Sequence, residues 1–358
     1  MRIVLFCQNT YSITILSPIH KEAVRQGHHE ILWYLGKKVV PAFDAKESDS
    51  WTSSIQAVYD FKPEAIFVPG NIVPYYLPGV KIQIFHGYAP EKPDHWEIRN
   101  YFDLYLTQGP YFTEGFQRLA DTHRTFEVAE TGWPRQDWIY ENLHTYDPYK
   151  RSLLETHGKK RIVLYAPTFS KKLTSLPYLY DALKELAQTR DILLLMKFHP
   201  LEKKKWVTLY QGLADETENI LYIDDHNISK HILVSDVMIS DTSSVVHEFL
   251  LLDKPVITFR NIAKEKFALD VQEPTLLKEA FDQLLEKDPF RAKRRWLVEN
   301  YDPYLDGKVG MRMISAAEDY IRRNGVPEKK KTNLYRMYKS LQKFGRITPK
   351  KRAVAALL

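Results

Sequence analysis

Residues 234–259 read VSDVMISDTSSVVHEFLLLDKPVITF. Two apolar runs rich in β-branched residues, at 236–240 and 255–259, flank a helical pattern over 244–252. Strand, polar turn, helix and second strand make the repeating unit of a parallel α/β sheet. Four small polar residues, Asp241, Thr242, Ser243 and Ser244, fill the turn into the helix. A helix start offers free N–H groups and a favourable dipole to an anion, and hydroxyls there add hydrogen bonds to a phosphate. Ser, Thr and Asp are also ordinary helix caps, but a cap accounts for one residue and not for four. Glu248, one turn into the helix from Ser244, is within reach of a ribose hydroxyl or is simply a surface carboxylate.

The same alternation extends outward in both directions. Upstream in this half, strands are expected at 161–166, 191–197 and 219–223, with helices at 176–188, 203–213 and 228–234. In the first half, strands are expected at 2–7, 29–35, 65–68, 81–85, 103–107 and 126–130, and helices at 17–27, 50–60 and 110–120. Two successive α/β domains of similar size follow, 1–147 and 148–325, with a tail over 326–358. The boundary is placed in the polar stretch HTYDPYKRSLLETHGKKR, residues 144–161, whose Asp-Pro is taken as a turn. Open sheets of this kind bind ligands at the carboxyl ends of their strands, so substrate is expected in a cleft between the domains.

Composition agrees with a globular chain: 44% of the 358 residues are hydrophobic and 13% aromatic. The single cysteine, Cys7, sits in the apolar run RIVLFC and is expected to be a small buried hydrophobe. One cysteine excludes an intramolecular disulfide, which fits a cytoplasmic location, and the N-terminus lacks the features of a signal peptide. Residues 326–358 carry 10 Lys and Arg and one acid, whereas residues 1–325 carry 41 basic and 44 acidic residues. The net charge of +6 therefore belongs to the tail. Within 329–352 the apolar residues Leu334, Met337, Tyr338 and Leu341 fall on one helical face among Lys and Arg, the pattern of a helix lying on an anionic membrane surface. An acidic body without aromatic RNA-binding signatures argues against nucleic acid.

Three further places put polar residues at strand ends. LLLMKFHP, residues 193–200, delivers His199 to a turn fixed by Pro200, with Lys197 expected on the same face. IQIFHGYAPEK, residues 82–92, delivers His86 beside Gly87, and a neutral imidazole is suited to taking a proton from an attacking hydroxyl. TGWPRQD (131–137), YAPTF (165–169) and YLDGK (304–308) are short loops in which Arg135, Pro167, Thr168, Asp306 and Lys308 are candidate ligands. His20, His28 and His29 lack the spaced partners of a zinc site, so no metal is expected. Neither GxSxG, HExxH, Walker A nor GxGxxG occurs, which weakens hydrolase, ATPase and oxidoreductase readings.

In order along the chain, IFHGYAPEK, FDLYLTQGPYFTEGFQRLA, TGWPRQDW, RIVLYAPTF, LLLMKFHP, VSDVMISDTSSVVHEFLLLDKPVITF and YLDGKVGMR resemble the CDP-glycerol glycerophosphotransferase family, of the TagB/TagF type. The resemblance spans roughly residues 80–325 and implies a GT-B fold, two Rossmann-like domains with the nucleotide donor held by the C-terminal one. It implies that His86 acts as base on the acceptor hydroxyl and that His199 stabilises the donor phosphates. By the same resemblance Ser243 and Ser244 hold the phosphates, Glu248 lies near the ribose, and Asp306-Gly307-Lys308 matches a late DGK motif. Phe85, Tyr88 and Thr242 stand where the family commonly has Trp, Thr and Tyr. The expected activity is transfer of glycerol phosphate, or a similar polyol phosphate, from CDP-glycerol or a related donor to a glycan or lipid-linked polymer of teichoic-acid or capsular type. No cofactor is expected, and a place on the inner face of the cell membrane is. The same residues leave open an inverting nucleotide-sugar glycosyltransferase, and a non-catalytic nucleotide-binding partner in capsule assembly.

Overall fold

The computed structural model describes residues 1–348 except 47–48, 89, 92, 226–227 and 328–332. The chain divides into two units, one made of Met1–His86, Glu97–Trp138 and the segment from Tyr304 onward, the other of Gly87–Trp96 and Ile139–Pro303. The division near residue 138 precedes the expected 147/148 boundary. Residues 304–325 return to the first unit instead of completing the second.

The first unit opens with β1 (Arg2–Cys7), α1 (Ser12–Gln26), β2 (Glu30–Leu35), β3 (Trp51–Thr52), α2 (Ile55–Phe61), β4 (Ala65–Val68), β5 (Val80–Gln83), β6 (Leu104–Thr107), α3 (Pro110–His123), β7 (Glu127–Glu130) and α4 (Arg135–Asn142). The second contains α5 (Asp147–His157), β8 (Arg161–Tyr165), α6 (Tyr180–Thr189), β9 (Ile192–Met196), α7 (Lys204–Glu216), β10 (Ile220–Tyr222), α8 (Ile228–Val234), β11 (Val237–Ser240), α9 (Val245–Leu250), β12 (Val256–Phe259), β13 (Leu269–Val271), α10 (Leu277–Glu286) and α11 (Arg291–Tyr301). Then α12 (Val309–Asn324) and α13 (Leu334–Phe344) rejoin the first unit.

Both sheets are parallel throughout, in the order β3-β2-β1-β4-β5-β6-β7 and β10-β9-β8-β11-β12-β13. Helices cover both faces of such sheets, so the central strands are wholly apolar, as β4 (AIFV) and β9 (ILLLM) show by being buried at every residue. In each sheet the order reverses once, between β1 and β4 and between β8 and β11, and the loops on either side of that point diverge. Cys7 is buried in β1, and burial pushes its thiol up to about 12, as expected of a packed hydrophobe.

Three helices differ from expectation for identifiable reasons. The Asp147-Pro148 pair opens α5 instead of forming a turn, because a proline in the first helical turn has no N–H to lose. Helix α6 begins at Tyr180, not 176, because Ser175 is held elsewhere by its backbone and side chain. Helix α1 begins at Ser12 and carries Pro18 inside it, where a start at 17 was expected. The Pro18 carbonyl is approached closely by α12: a Cβ placed on Gly310 would lie 2.7 Å from it.

Gly310→Ala should therefore push α12 off α1 and lower stability by roughly 1–3 kcal/mol, read as a fall in the thermal midpoint. An unchanged midpoint would show that the two helices separate without cost.

Candidate nucleotide and acceptor sites

The turn after β11 lies at the strand-order reversal of the second sheet. Asp241 is fully buried there. One oxygen accepts from the Thr168 N–H at 2.8 Å, the other from the Ser175 N–H and hydroxyl, both at 2.8 Å. Ser240 adds a hydrogen bond from its hydroxyl to the Ala166 carbonyl at 2.6 Å. Asp241, expected as a candidate ligand, is thus the tie that fixes the loop after β8, where Pro167 is buried and Thr168 half-buried.

The Thr242 hydroxyl accepts from the Ile262 N–H at 3.2 Å, which leaves its own O–H to donate. Ser244 occupies the cap position of α9 with helical backbone angles and makes no side-chain cap bond. Among the described residues, the Ser243 and Ser244 hydroxyls carry no protein hydrogen bond. Capping therefore does not explain the pair, and with α9 only six residues long these hydroxyls, more than a helix dipole, are what the turn offers an anion. Glu248 is half-buried one turn on. Lys254 donates to carbonyls near the end of α8, Ile232 at 2.9 Å and Leu233 at 2.6 Å.

His199 follows β9 and is exposed, its ring stacked on Phe169 with centroids 4.2 Å apart. The Leu201 N–H donates to its Nδ1 at 3.1 Å, so in the neutral ring the proton sits on Nε2, which is left to donate. Partial burial, helped by the Lys197 charge and opposed by Glu202, lowers its pKa and keeps it neutral at pH 7. Lys197 does not share this exposed position. Its ammonium is buried, donates to the Phe198 carbonyl at 3.3 Å, and has its pKa lowered by burial against the pull of Asp225 and Asp224.

In the first unit, His86 is exposed just beyond β5. Its Nδ1 lies 3.0 Å from the Pro69 carbonyl. A carbonyl only accepts, so Nδ1 carries the proton and Nε2 presents a lone pair. The preceding residue, Phe85, has φ 57°, a left-handed conformation rare for an aromatic. It buries the Phe85 ring against Phe116 and Tyr105, with centroids 4.9 and 6.1 Å away, and turns the next residue outward. Gly87 follows at φ 155°, and Tyr88 is buried in the second unit with its hydroxyl on Asp302 at 2.5 Å.

Of the short-loop candidates, the stretches 131–137 and 304–308 form a joint within the first unit, while 165–169 belongs to the second. Asp137, unremarked in the sequence, accepts from the Val309 and Gly310 N–H groups at 2.9 and 2.8 Å and so caps α12. Asp306 pairs with Arg312 through two bonds of 2.8 and 2.9 Å, which hold its carboxyl below the usual range. Arg312 also donates to the Thr131 carbonyl at 2.8 Å, and Tyr304 to Glu130 at 2.6 Å. Gly132, at φ 90°, leaves no room for a Cβ, which would lie 2.8 Å from Tyr304. Arg135 lies over the Trp133 ring, 5.8 Å from its centroid, while Lys308 starts α12 exposed. The stretches 131–137 and 304–308 are partners of one another.

Chain folding also brings Glu318 to His28 and His29, so that one ligand atom from each lies within 4.8 Å of the others. The His29 ring is already engaged by the Met1 amine at 3.1 Å and Gln26 at 2.7 Å.

Residues 79–317 match the model of the CDP-glycerol:poly(glycerophosphate) glycerophosphotransferase family. The chain belongs to this family. Among curated relatives of this family member, the teichoic acid glycerol-phosphate primase of Bacillus spizizenii is 32% identical over 151 residues, 41% of this chain and 36% of that protein. The chain spans 36%, 65% and 38% of the length of three curated relatives that it matches, in each case less than two thirds. The solved wall teichoic acid polymerase TagF superposes with a TM-score of 0.64 at 17% identity, covering 90% of this chain and 89% of the other. The S. aureus MnaA–UDP complex superposes with a TM-score of 0.68 at 14% identity, covering 93% and 100%. Together they show that the fold is GT-B.

Burial outweighs its three hydrogen bonds and lifts the Asp241 carboxyl from 3.8 to about 6. The folded chain then holds this proton more tightly than the unfolded chain, so this group's contribution is most favourable below about pH 4 and is lost as pH rises to about 6. In denaturant unfolding at those two pH values, wild type should lose stability relative to Asp241→Asn as pH rises. A gain would show that the hydrogen bonds dominate.

Proposed function

We propose that this chain transfers glycerol phosphate, or a similar polyol phosphate, from a CDP-activated donor to a hydroxyl of a teichoic-acid-like polymer. The observation that carries the proposal is the opposite hydrogen bonding of two exposed imidazoles. His86 has its proton fixed on Nδ1 and a bare Nε2, the form of a base, while His199 has Nδ1 occupied and Nε2–H outward, the form of a donor. Family membership and the primase and polymerase relatives support the donor and acceptor classes.

In this mechanism the acceptor oxygen attacks the distal phosphorus of the donor. A P–O bond forms as the bond to CMP breaks, the acceptor proton passes to His86 Nε2, and CMP leaves with the electron pair. His199 Nε2–H and the Ser243 and Ser244 hydroxyls donate to the phosphate oxygens, where transition-state charge is largest. His86→Ala should lower turnover by at least about a hundredfold while leaving CDP binding within roughly twofold. Normal turnover would remove the base assignment, and calorimetry showing preference for UDP-sugars over cytidine nucleotides would move the protein to sugar transfer.

We also infer peripheral attachment to an anionic membrane through α13. No helix among the described residues is long and apolar enough to cross a membrane. Helix α13 forms as expected, yet its apolar face is divided. Ser340 is buried and accepts from the Tyr75 N–H at 3.2 Å, Phe344 meets Phe6 edge-on at 5.8 Å, and Met337 and Leu341 are half-buried. Leu334, Tyr335 and Tyr338 face out at 76, 57 and 60% exposure beside Lys339. Residues 329–332 and 349–352 of the expected tail lie outside the described residues. Replacing Leu334, Tyr335 and Tyr338 by Ser should weaken co-sedimentation with phosphatidylglycerol vesicles by roughly tenfold. Undiminished binding would place the contact elsewhere.

A further inference from the structure

Beside the turn that carries Thr242 and Ser243 lies an open pocket that takes no part in the transfer described above. Thr242 and Ser243 form one wall, and the loop between β12 and β13 forms the other. That loop is built, not loose. Arg260 turns it through a left-handed φ of 49°, and Asn261 donates from its backbone to Asp270 at 2.9 Å and from its side chain to the Asp241 carbonyl at 3.1 Å. The Asn261 side-chain oxygen accepts from the Ala263 N–H at 2.7 Å, and Thr258 donates to Asp270 at 2.8 Å. Lys266 binds Asp270 at 3.0 Å and the Asn261 carbonyl, which uses two of the three donors of an ammonium.

We propose that this pocket is the subsite for the polyol of the donor and that the 260–268 loop sets polyol selectivity. The inference rests on the CDP-polyol reading of the preceding subsection. Val246, Leu250 and Ala268 supply a buried apolar floor suited to a carbon chain. Asn261, Lys266, Glu91 and Glu265 line the same pocket with donors and acceptors suited to hydroxyls. Two carboxylates against one ammonium make the pocket a poor place for a further phosphate and a good one for a neutral, hydroxyl-rich group. Its shared wall at Thr242 and Ser243 puts it next to where the donor phosphates are held.

The test compares calorimetric affinities for CDP-glycerol, CDP-ribitol and CDP in wild type, Glu265→Gln and Ala263→Phe. Glu265 is exposed and Ala263 lies outside regular structure, so neither change removes a core contact. The expected result is that wild type binds a CDP-polyol more tightly than CDP. Glu265→Gln should reduce that advantage roughly 3- to 10-fold, and Ala263→Phe should abolish it, with CDP affinity within about twofold in both. A wild-type advantage that both variants retain overturns the subsite while leaving the donor reading intact. A wild type that binds CDP as tightly as either CDP-polyol also overturns it. A wild type that binds no cytidine nucleotide overturns the donor reading and the subsite together.

Discussion

A single buried carboxylate organises the second unit. Asp241 sits where the strand order of the sheet reverses, and a parallel sheet necessarily leaves unpaired backbone there, because the loops on its two sides run apart. Its oxygens satisfy N–H groups of Thr168 and Ser175 in the loop after β8, and its own carbonyl receives the Asn261 side chain from the loop after β12. Three loops are thereby held to one residue. Burying a carboxylate costs several kcal/mol unless hydrogen bonds compensate, so the tie persists only because its donors are all in place. Thr242, Ser243 and Ser244 continue directly from Asp241 into α9.

The first unit solves a different problem, that of holding the end of the chain. The Asp137 cap on α12, the glycine at 310 against Pro18 and the glycine at 132 against Tyr304 fit the returning segment to surfaces made much earlier in the sequence. Helix α13 continues this return. Ser340 bonds to Tyr75 in the loop after β4, Tyr76 donates to the Gly345 carbonyl at 2.7 Å, and Lys343 reaches Gln8 just beyond β1 at 2.9 Å. Gln8 in turn donates to the Ile72 carbonyl at 2.5 Å, so the tail helix braces the loops at the strand ends from which His86 also projects.

The chemistry assigned to the two histidines depends on backbone partners and not on the rings themselves. A carbonyl at Nδ1 leaves Nε2 basic, whereas an N–H at Nδ1 leaves Nε2 protonated. Two side chains of one type thereby present opposite hydrogen-bonding faces, a lone pair at one Nε2 and an N–H at the other.

Much of this was legible in the residues. Continuous apolar runs such as RIVLFC and ILLLM announce strands buried on both faces, and their alternation with helical patterns specifies parallel α/β units. The strand-end histidines and the Ser pair stood out because polar side chains directly after such runs have no core to enter. Short strands such as β3 and β13 did not stand out, since two or three residues carry no period. Periodicity is a local property, and it determined which segments are strands and which polar residues end them. The tertiary structure alone decided that Asp241 ties neighbouring loops and Asp306 pairs with Arg312, that Lys197 is turned inward, that the chain past 304 goes back to the first unit, and which imidazole nitrogen carries the proton. Each of these depends on a hydrogen bond or a close contact made by a residue distant in sequence or by the backbone of a folded turn, and neither is written in the spacing of side chains.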